Sequence, residues 1–527
     1  VRKIVITGPP AAGKTTLAAA LGARLDAPHW DTDAEVEREA GRTVPELFAS
    51  EGEPGFRQRE RRALLTLLER EGPAVIAVGG GTLLDTGLRR DVLKRALVVG
   101  LTAPAPALQA RAQAHGVARP LLQGDAKAKL TALLDARAEI YAEAHAHLDA
   151  ARAPEAVAEH AASTVRALGE RPPLVVPLGA RTYRVHFGPL AGLGALVAGL
   201  SPSLTLLVTD ATVQKALKLQ RSKAGLKPIA SVVLPGTGER AKTLSSVERI
   251  WNAALTAALD RDALIAAVGG GVVTDLAGFA AATLLRGVRC VSAPTTLLAM
   301  VDASVGGKTG FDHPRGKNLI GAFHQPSAVL CDPEALRTLS ARARRAGLAE
   351  VVKIALVRDL ALLEALERDA DRLAQLDLSA LAAVISPAIQ AKIDVVAADE
   401  REAGLRALLN FGHTVGHSIE RAAKFRLPHG ECVALGMRAA LELGARLAVT
   451  PPALAARAFT LLDRLKMPAR PPKNVTRRQI LDGLDLDKKR SAGRLRFVLC
   501  DAPGSGTLAP VDKGDVEAVL EALWGKT

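Results

Sequence analysis

Gly8-Pro9-Pro10-Ala11-Ala12-Gly13-Lys14-Thr15 stands between an apolar run, Lys3-Ile4-Val5-Ile6-Thr7, and an alanine-rich segment of helical character. Such a loop does not sit in an arbitrary fold. It needs a buried strand feeding directly into a helix, so that loop N–H groups and the helix N-terminus converge on one point. A lysine and a hydroxyl at its end complete a phosphate-binding loop. Lys14 is expected to reach the β- and γ-phosphates of ATP, and Thr15 to help hold Mg²⁺, with Gly8, Gly13 and Thr16 in the same site.

The flanking pattern agrees with this geometry. Apolar runs at 3–7, 74–78 and 96–101 predict strands, and the spacing predicts helices over 14–25, 55–70 and 127–146. Alternation of this kind is the rhythm of a three-layer α/β domain. A helical tail, Pro154 to Leu168, runs into Gly169-Glu170-Arg171-Pro172-Pro173, where two prolines forbid continuation. Residues 1–168 therefore read as one domain and 169–173 as a linker. From 174 to 340 the pattern is α/β again, with strands at Tyr183–Phe187 and near 204–208, 231–234, 263–268 and 288–293. From 341 to 527 helical periodicity dominates, Leu495–Leu499 being an exception. A chain of 527 residues has room for several such bodies.

Charge and composition narrow the function. A net charge of +14 suits nucleic acid or phosphorylated small molecules. Aromatic residues are only 3%, too few for base-stacking platforms, and the basic residues alternate with acids, as in Arg57-Gln58-Arg59-Glu60-Arg61-Arg62. Small-molecule partners are expected, and no nucleic acid. No run of 18 apolar residues predicts a membrane span, and the chain opens as a strand rather than a signal peptide. Four scattered cysteines, Cys290, Cys331, Cys432 and Cys500, form no metal knuckle or disulfide framework, which fits a reducing cytoplasm.

Three further stretches carry chemistry. Trp30-Asp31-Thr32-Asp33 follows the first helix, where carboxylates can orient a Mg²⁺-bound water and an acceptor hydroxyl. Val78-Gly79-Gly80-Gly81 ends a strand without side chains, so its backbone can approach a ligand closely. Val268-Gly269-Gly270-Gly271, followed by Val272-Val273-Thr274-Asp275, reads as strand, glycine turn and helix start, suited to a dinucleotide pyrophosphate.

Histidines supply a fourth. In Asn410-Phe411-Gly412-His413-Thr414-Val415-Gly416-His417 two of them are i,i+4 partners, and His429 follows in Pro428-His429-Gly430-Glu431. Spacing alone would put His413 and His417 on a zinc-type ion, completed by a carboxylate; capping and core hydrogen bonding is the plainer alternative.

Over residues 1–165 the chain resembles shikimate kinase. The match rests on the phosphate loop, Asp31-Thr32-Asp33, Gly52-Glu53-Pro54-Gly55-Phe56-Arg57, the triple glycine, Arg119-Pro120-Leu121-Leu122 and Arg137 before Ile140-Tyr141. The resemblance implies that Asp33, Arg57, Arg137 and the Gly79–Gly81 backbone hold shikimate. It further implies that Arg119 is a lid residue at the ATP phosphates, and that Asp31 joins Thr15 at Mg²⁺. Planar guanidinium groups suit carboxylate and phosphate. One departure is Ala11, where the family usually has glycine.

Over 174–527 the chain resembles 3-dehydroquinate synthase. The motifs are the glycine turn, Ala293-Pro294-Thr295-Thr296, Val301-Asp302-Ala303-Ser304-Val305-Gly306-Gly307-Lys308-Thr309, Gly316-Lys317-Asn318-Leu319-Ile320-Gly321, Gly347-Leu348-Ala349-Glu350-Val351-Val352-Lys353 and the histidine segments. The implied fold is a P-loop kinase domain with a parallel three-layer sheet, fused to an α/β NAD-binding domain and then a mainly helical metal-binding domain. The implied metal ligands are Glu350, His413 and His429, holding Zn²⁺ or Co²⁺, with His417 beside the substrate.

NAD contacts are implied for Asp210, Glu239, Lys242, Gly269, Gly270, Gly271, Asp275, Thr295, Thr296, Lys308, Lys317 and Thr338. Substrate contacts are implied for Asp302, Lys308, Asn318, Lys353, Lys392, Arg406, Asn410 and His417. Lys488 or Lys489 would close the phosphate pocket, and Arg286 would reach across a homodimer interface in the cyclase region. Pro235-Gly236-Thr237-Gly238-Glu239 departs from the family's Pro-Asp-Gly-Glu at the adenosine loop.

The implied activities are phosphorylation of shikimate by Mg²⁺-ATP and conversion of 3-deoxy-D-arabino-heptulosonate 7-phosphate to 3-dehydroquinate with phosphate release. Another sugar-phosphate cyclase or a polyol dehydrogenase is the alternative for the second part, and a non-catalytic nucleotide module for the first.

Overall fold

The computed structural model describes residues 3–114, 126–168, 172–217, 225–236, 238–490 and 495–525. Arg119 lies outside the described residues, as do the side chains of Lys488 and Lys489. Contacts divide the chain into two compact units, Val1–Val185 and His186–Thr527. That division falls inside strand Tyr183–Phe187, beyond the 169–173 segment read as the linker, whose first three residues are not described. The α/β stretch and the helical stretch that meet at 340/341 belong to a single compact unit.

The first unit is built on five parallel strands in the order His29–Asp31, Ala74–Ala77, Lys3–Thr7, Ala96–Thr102 and Ala146–Asp149. The three apolar strands are where the sequence places them. The two edge strands carry His-Trp-Asp and Ala-His-Leu-Asp, too short and too polar to show a strand period. Helices Lys14–Leu25 and Pro154–Leu168 bury Leu17, Leu21, Val157 and Val165 on one face of the sheet. Leu64, Leu67, Leu88 and Val92 pack on the other.

The helix read over 55–70 begins earlier, at Val44. Glu46 reaches back to accept from the N–H and hydroxyl of Thr43, so Thr43-Val44-Pro45-Glu46 is a capping signal that the apolar period alone hides. Gly52, at φ 68°, then kinks the helix before Pro54 restarts it. The helix read over 127–146 stops at Ala142, because the chain turns into the last edge strand.

In the second unit five parallel strands run in the order Ala328–Cys331, Arg289–Pro294, Leu264–Gly269, Thr205–Asp210 and Ala230–Leu234. Lys308–His313 and Gly316–Phe323 form an antiparallel hairpin that the glycine-rich sequence conceals. A Cβ at Gly310 or Gly321 would come within 2.4 or 2.3 Å of the opposite strand's carbonyls, so the glycines permit this close pairing. Helices follow from Ala341–Arg358 onward, with a C-terminal hairpin of Leu495–Ala502 and Ser505–Val511.

Helix Leu378–Ala398 is long and apolar enough to cross a membrane by composition alone. It is nevertheless a core helix. Leu381, Ile385, Ala388 and Ile389 are wholly buried in the helical body, and its Lys392 is ion-paired with Asp302.

Candidate active sites

Strand Lys3–Thr7 delivers the phosphate loop as the sequence requires. Gly8 takes φ 143° where a Cβ would lie 2.7 Å from Leu101 O, and Gly13 takes φ 86° at the helix N-terminus. Ala11 also lies in the left-handed region, at φ 64°. An alanine there costs about 1 kcal/mol. Ala11→Gly is therefore expected to raise the urea midpoint of the first unit by an amount worth up to about 1 kcal/mol, offset in part by the freer unfolded chain; a fall would show that the loop is not strained there. Lys14 Nζ donates to Gly8 O and Pro9 O at 3.1 and 3.0 Å, and Thr15 donates to Asp31 at 2.6 Å. Thr15 and Asp31 are thus already adjacent, as a shared cation requires.

Ala11, Gly13, Lys14, Thr15 and Asp31 line a cavity of about 890 Å³ with Thr16, Asp33, Arg57, Gly79, Gly80, Gly81 and Arg137, whereas Gly8 is not part of its wall. Asp33 Oδ1 is buried without a hydrogen-bond partner. Burial, then the neighbouring Glu60 and Asp31, push its carboxyl up to about 7. Arg137 and Tyr141 both donate to Gly80 O, at 2.8 and 2.9 Å. Arg57 pairs with Glu60 and with Glu53, and Glu60 accepts from Thr82 at 2.8 Å.

The triple glycine has a steric reason. A Cβ on Gly79 would meet Glu60 at 2.1 Å and one on Gly81 would meet Arg57 at 2.4 Å. Glu60, fully buried at the base of this network, escaped the sequence reading even though it lies three residues from Arg57 on one helix. Arg111, Arg152 and Pro154 line the same cavity and escaped it too, since nothing in their sequence context marks them.

In the second unit a cavity of about 770 Å³ opens where strand Leu264–Gly269 turns into helix Gly271–Thr283. Its walls include Asp210, Glu239, Lys242, Gly270, Gly271, Asp275, Thr295, Thr296, Lys317 and Thr338, together with Asp302, Asn318, His417 and His429. Gly269 sits behind this wall, its Cβ position closed by Val273 at 2.5 Å. Asp210 caps its own helix through Val213 N at 2.9 Å. Lys242 donates to Asp275 at 2.6 Å and to Asn318 at 2.5 Å. Asn318 holds φ 52° within a strand, a strained conformation of the kind that collects at functional sites.

Deeper in, Asp302 lies on a π-helical turn, Ala299–Ala303. Lys392 donates to its carboxylate at 2.5 Å, and burial brings that lysine down to about 8. Burial opposes ionisation of Asp302, yet Lys392 and Lys353 hold its carboxyl well below the usual range. Arg406 is buried and donates to Gly306 O at 3.1 Å and to Glu400 O. Lys308 and Asn410 do not line the cavity; both contact Glu402, a residue at φ 61° on a loop pinned by Asp399. No spacing signal marks Glu402. Arg286 is exposed, outside the cavity, on a turn where Leu285 and Arg286 both have positive φ.

Glu350, His413 and His429 come from three different helices. Glu350 Oε1 lies 3.8 Å from His413 Nε2 and 3.5 Å from His429 Nε2. The helices approach this closely because glycine faces backbone: a Cβ would meet Ala346 O at 1.8 Å from Gly430 and Gly412 O at 1.8 Å from Gly436. Lys353 pairs with Glu350 Oε2 at 2.5 Å.

Glu350 Oε1 is a fully buried carboxylate oxygen without a hydrogen-bond donor, facing two imidazole nitrogens. Ligand atoms around a tetrahedral zinc lie roughly 3.3 Å apart, so this hard–borderline donor set fits a divalent ion. His417, the i+4 partner, is exposed toward the cavity, and its ring centre lies 5.1 Å from that of His413. It forms a second close group with Glu420 and His429. Glu420 escaped the sequence reading, although it falls seven residues after His413 on the same helix face.

The shikimate kinase family model matches residues 10–166. The N-terminal and C-terminal models of 3-dehydroquinate synthase match residues 232–346 and 347–490. A 3-dehydroquinate synthase of Nostoc sp. strain PCC 7120 is 44% identical over 358 residues, covering 66% of this chain and 98% of that protein. One from Methylococcus capsulatus is 45% identical over 353 residues, covering 66% and 98%. Among solved structures, 2-epi-5-epi-valiolone synthase of Streptomyces hygroscopicus subsp. jinggangensis, with NAD⁺ and Zn²⁺ bound, matches with TM-score 0.59 and 31% identity over 65% of this chain and 96% of that one.

Proposed function

Because the chain belongs to the 3-dehydroquinate synthase family and carries a shikimate kinase domain ahead of it, we propose that it performs two named reactions of the shikimate pathway. The first unit transfers the γ-phosphoryl group of ATP to shikimate, and the second converts 3-deoxy-D-arabino-heptulosonate 7-phosphate to 3-dehydroquinate and phosphate. The observation that carries this reading is Glu350 Oε1, orphaned and facing two histidines beside a glycine-turn cavity.

In the first unit Asp33 accepts the proton side of the acceptor hydroxyl, while Arg57 and Arg137 hold the shikimate carboxylate. Lys14 and Arg119 hold the phosphates, and Thr15 with Asp31 holds Mg²⁺. In the second unit Glu350, His413 and His429 hold one divalent ion, and the cavity wall from Asp210 to Thr338 holds NAD. Bound there, the ion supplies Lewis acidity toward a ring hydroxyl and NAD supplies a reversible hydride exchange, so the conversion is redox-neutral overall. Lys353, Lys392, Arg406 and Asn318 hold the substrate's anionic groups as fixed cations and donors, which stabilise charge developing on the departing phosphate without reorganising. Lys308 and Asn410, which the resemblance also assigns to the substrate, have to leave Glu402 to reach it. His417, on the cavity side of the cluster, faces the substrate. Arg286 is offered to a second copy of the chain in a homodimer.

A sibling cyclase acting on another seven-carbon sugar phosphate is the second reading, favoured by the valiolone synthase likeness. It is the weaker one, because identity to 3-dehydroquinate synthases is higher, at 44% against 31%. Purified protein given the heptulosonate phosphate, NAD and Zn²⁺ is expected to release phosphate stoichiometrically with 3-dehydroquinate and without net NADH. Turnover of a different seven-carbon sugar phosphate alone would favour the sibling, and NADH accumulation a dehydrogenase.

A further inference from the structure

Glu420 stands between two groups that serve different ligands. Its Oε2 lies 3.6 Å from His429 Nδ1, the ring nitrogen turned away from Glu350. Its Oε1 lies 2.9 Å from Lys317 Nζ, and Lys317 reaches Glu239 at 3.0 Å on its other side. Phe425 lies under the same ammonium, 4.8 Å from ring centre to Nζ. The Glu420 side chain is only 5% exposed, so these contacts are not diluted by water. Lys317, Glu239, Glu420 and His429 all line the one cavity.

We propose that Glu420 is a positioning residue shared by the metal and the cofactor, and that through it each tightens the binding of the other. The inference rests on the reading of this cavity as an NAD and metal site. A ligand His is set for the metal by the acceptor that holds its second ring N–H, and a carboxylate in that place raises its basicity. Glu420 is the carboxylate facing Nδ1, but it also serves Lys317. When a cofactor phosphate takes hydrogen bonds from Lys317, Glu420 is released toward His429. When an ion sits on Nε2, the polarised Nδ1–H draws Glu420 away from Lys317, leaving more of the ammonium for the cofactor. Linkage requires the two effects to be equal in size.

The test uses the full-length chain freed of metal, with NAD and Zn²⁺ affinities measured by calorimetry and chelator competition, each with and without the other ligand. The native chain is expected to bind each ligand 5- to 20-fold tighter in the presence of its partner. Glu420→Gln is expected to weaken Zn²⁺ 10- to 100-fold and bring the coupling to about one. Its Co²⁺ complex should show an altered d–d spectrum, a signature that a merely structural role would not give.

Lys317→Met, which frees Glu420 from its ammonium permanently, is expected to lose the coupling and to bind Zn²⁺ without NAD about as tightly as the native chain does with it. Unchanged Zn²⁺ affinity and intact coupling in Glu420→Gln, or native binding of both ligands without coupling, would overturn the proposal. A native chain that binds neither NAD nor metal would instead overturn the function proposed above.

Discussion

Glu350→Gln is expected to reduce metal affinity by at least about a hundredfold and to remove cyclase turnover, while shikimate phosphorylation stays within about twofold of the native rate. The amide keeps the size of the side chain but not its charge. It also leaves the Lys353 ammonium, buried against Glu350, beside a neutral group. Stripping one partner from a buried pair costs about 3–5 kcal/mol, so a lower melting temperature of the second unit is part of the expectation.

His413→Ala separates the two effects, because it removes a ligand without touching the Lys353 pair. Metal content and phosphate release are the measurements, and NAD binding at the affinity of the metal-free native chain certifies that the unit is folded. Full cyclase activity in both variants would remove Glu350 and His413 from the chemistry. Kinase activity should survive because Asp33, Lys14 and their partners lie in a separate compact unit with its own sheet.

Asp33→Asn is expected to do the reverse: shikimate-dependent ADP formation falls by two to four orders of magnitude, and phosphate release by the cyclase is untouched. In the function proposed here the carboxylate is the proton acceptor, and an amide cannot take its place. The pH profile gives a second handle. Burial and the Glu60 and Asp31 charges raise the Asp33 carboxyl to about 7, so kinase turnover should rise with pH and level off above about 7.

The stability sign is opposite. A carboxyl whose folded pKa lies above its unfolded value binds its proton more tightly when folded, so its contribution is complete below the unfolded value near 3.8 and is lost as pH rises through about 7. Asp33→Asn should therefore melt no lower than the native unit at pH 8, which separates lost chemistry from lost structure. Appreciable activity in this variant would assign the proton acceptor elsewhere.

Much of the fold was legible because the relevant signals are local. The phosphate loop, the apolar strands Lys3–Thr7 and Leu264–Gly269 and the helix of Pro154–Leu168 each declare themselves within a dozen residues. The edge strands and the hairpin of Lys308–Phe323 did not. The edge strands are short and polar; the hairpin is held by glycines whose value lies in what approaches them from across the pair.

The sequence by itself determined the chemistry on offer: a phosphate loop with Lys14 and Thr15, carboxylates at Asp31 and Asp33, a glycine turn, and three histidines with acidic residues within reach. The i,i+4 spacing pairs His413 with His417 as ligands, whereas the family resemblance keeps His413 and names Glu350 and His429 in place of His417. Only the tertiary structure decided which atoms meet. Glu350 and His429 lie 79 positions apart in sequence, yet their atoms are 3.5 Å apart because Gly430 and Gly436 let three helices pack backbone to backbone. Spacing along one helix reports only the face that a residue shares. Which carboxylate arrives opposite that face, Glu350 at one histidine nitrogen and Glu420 at the other, depends on how helices distant in sequence pack.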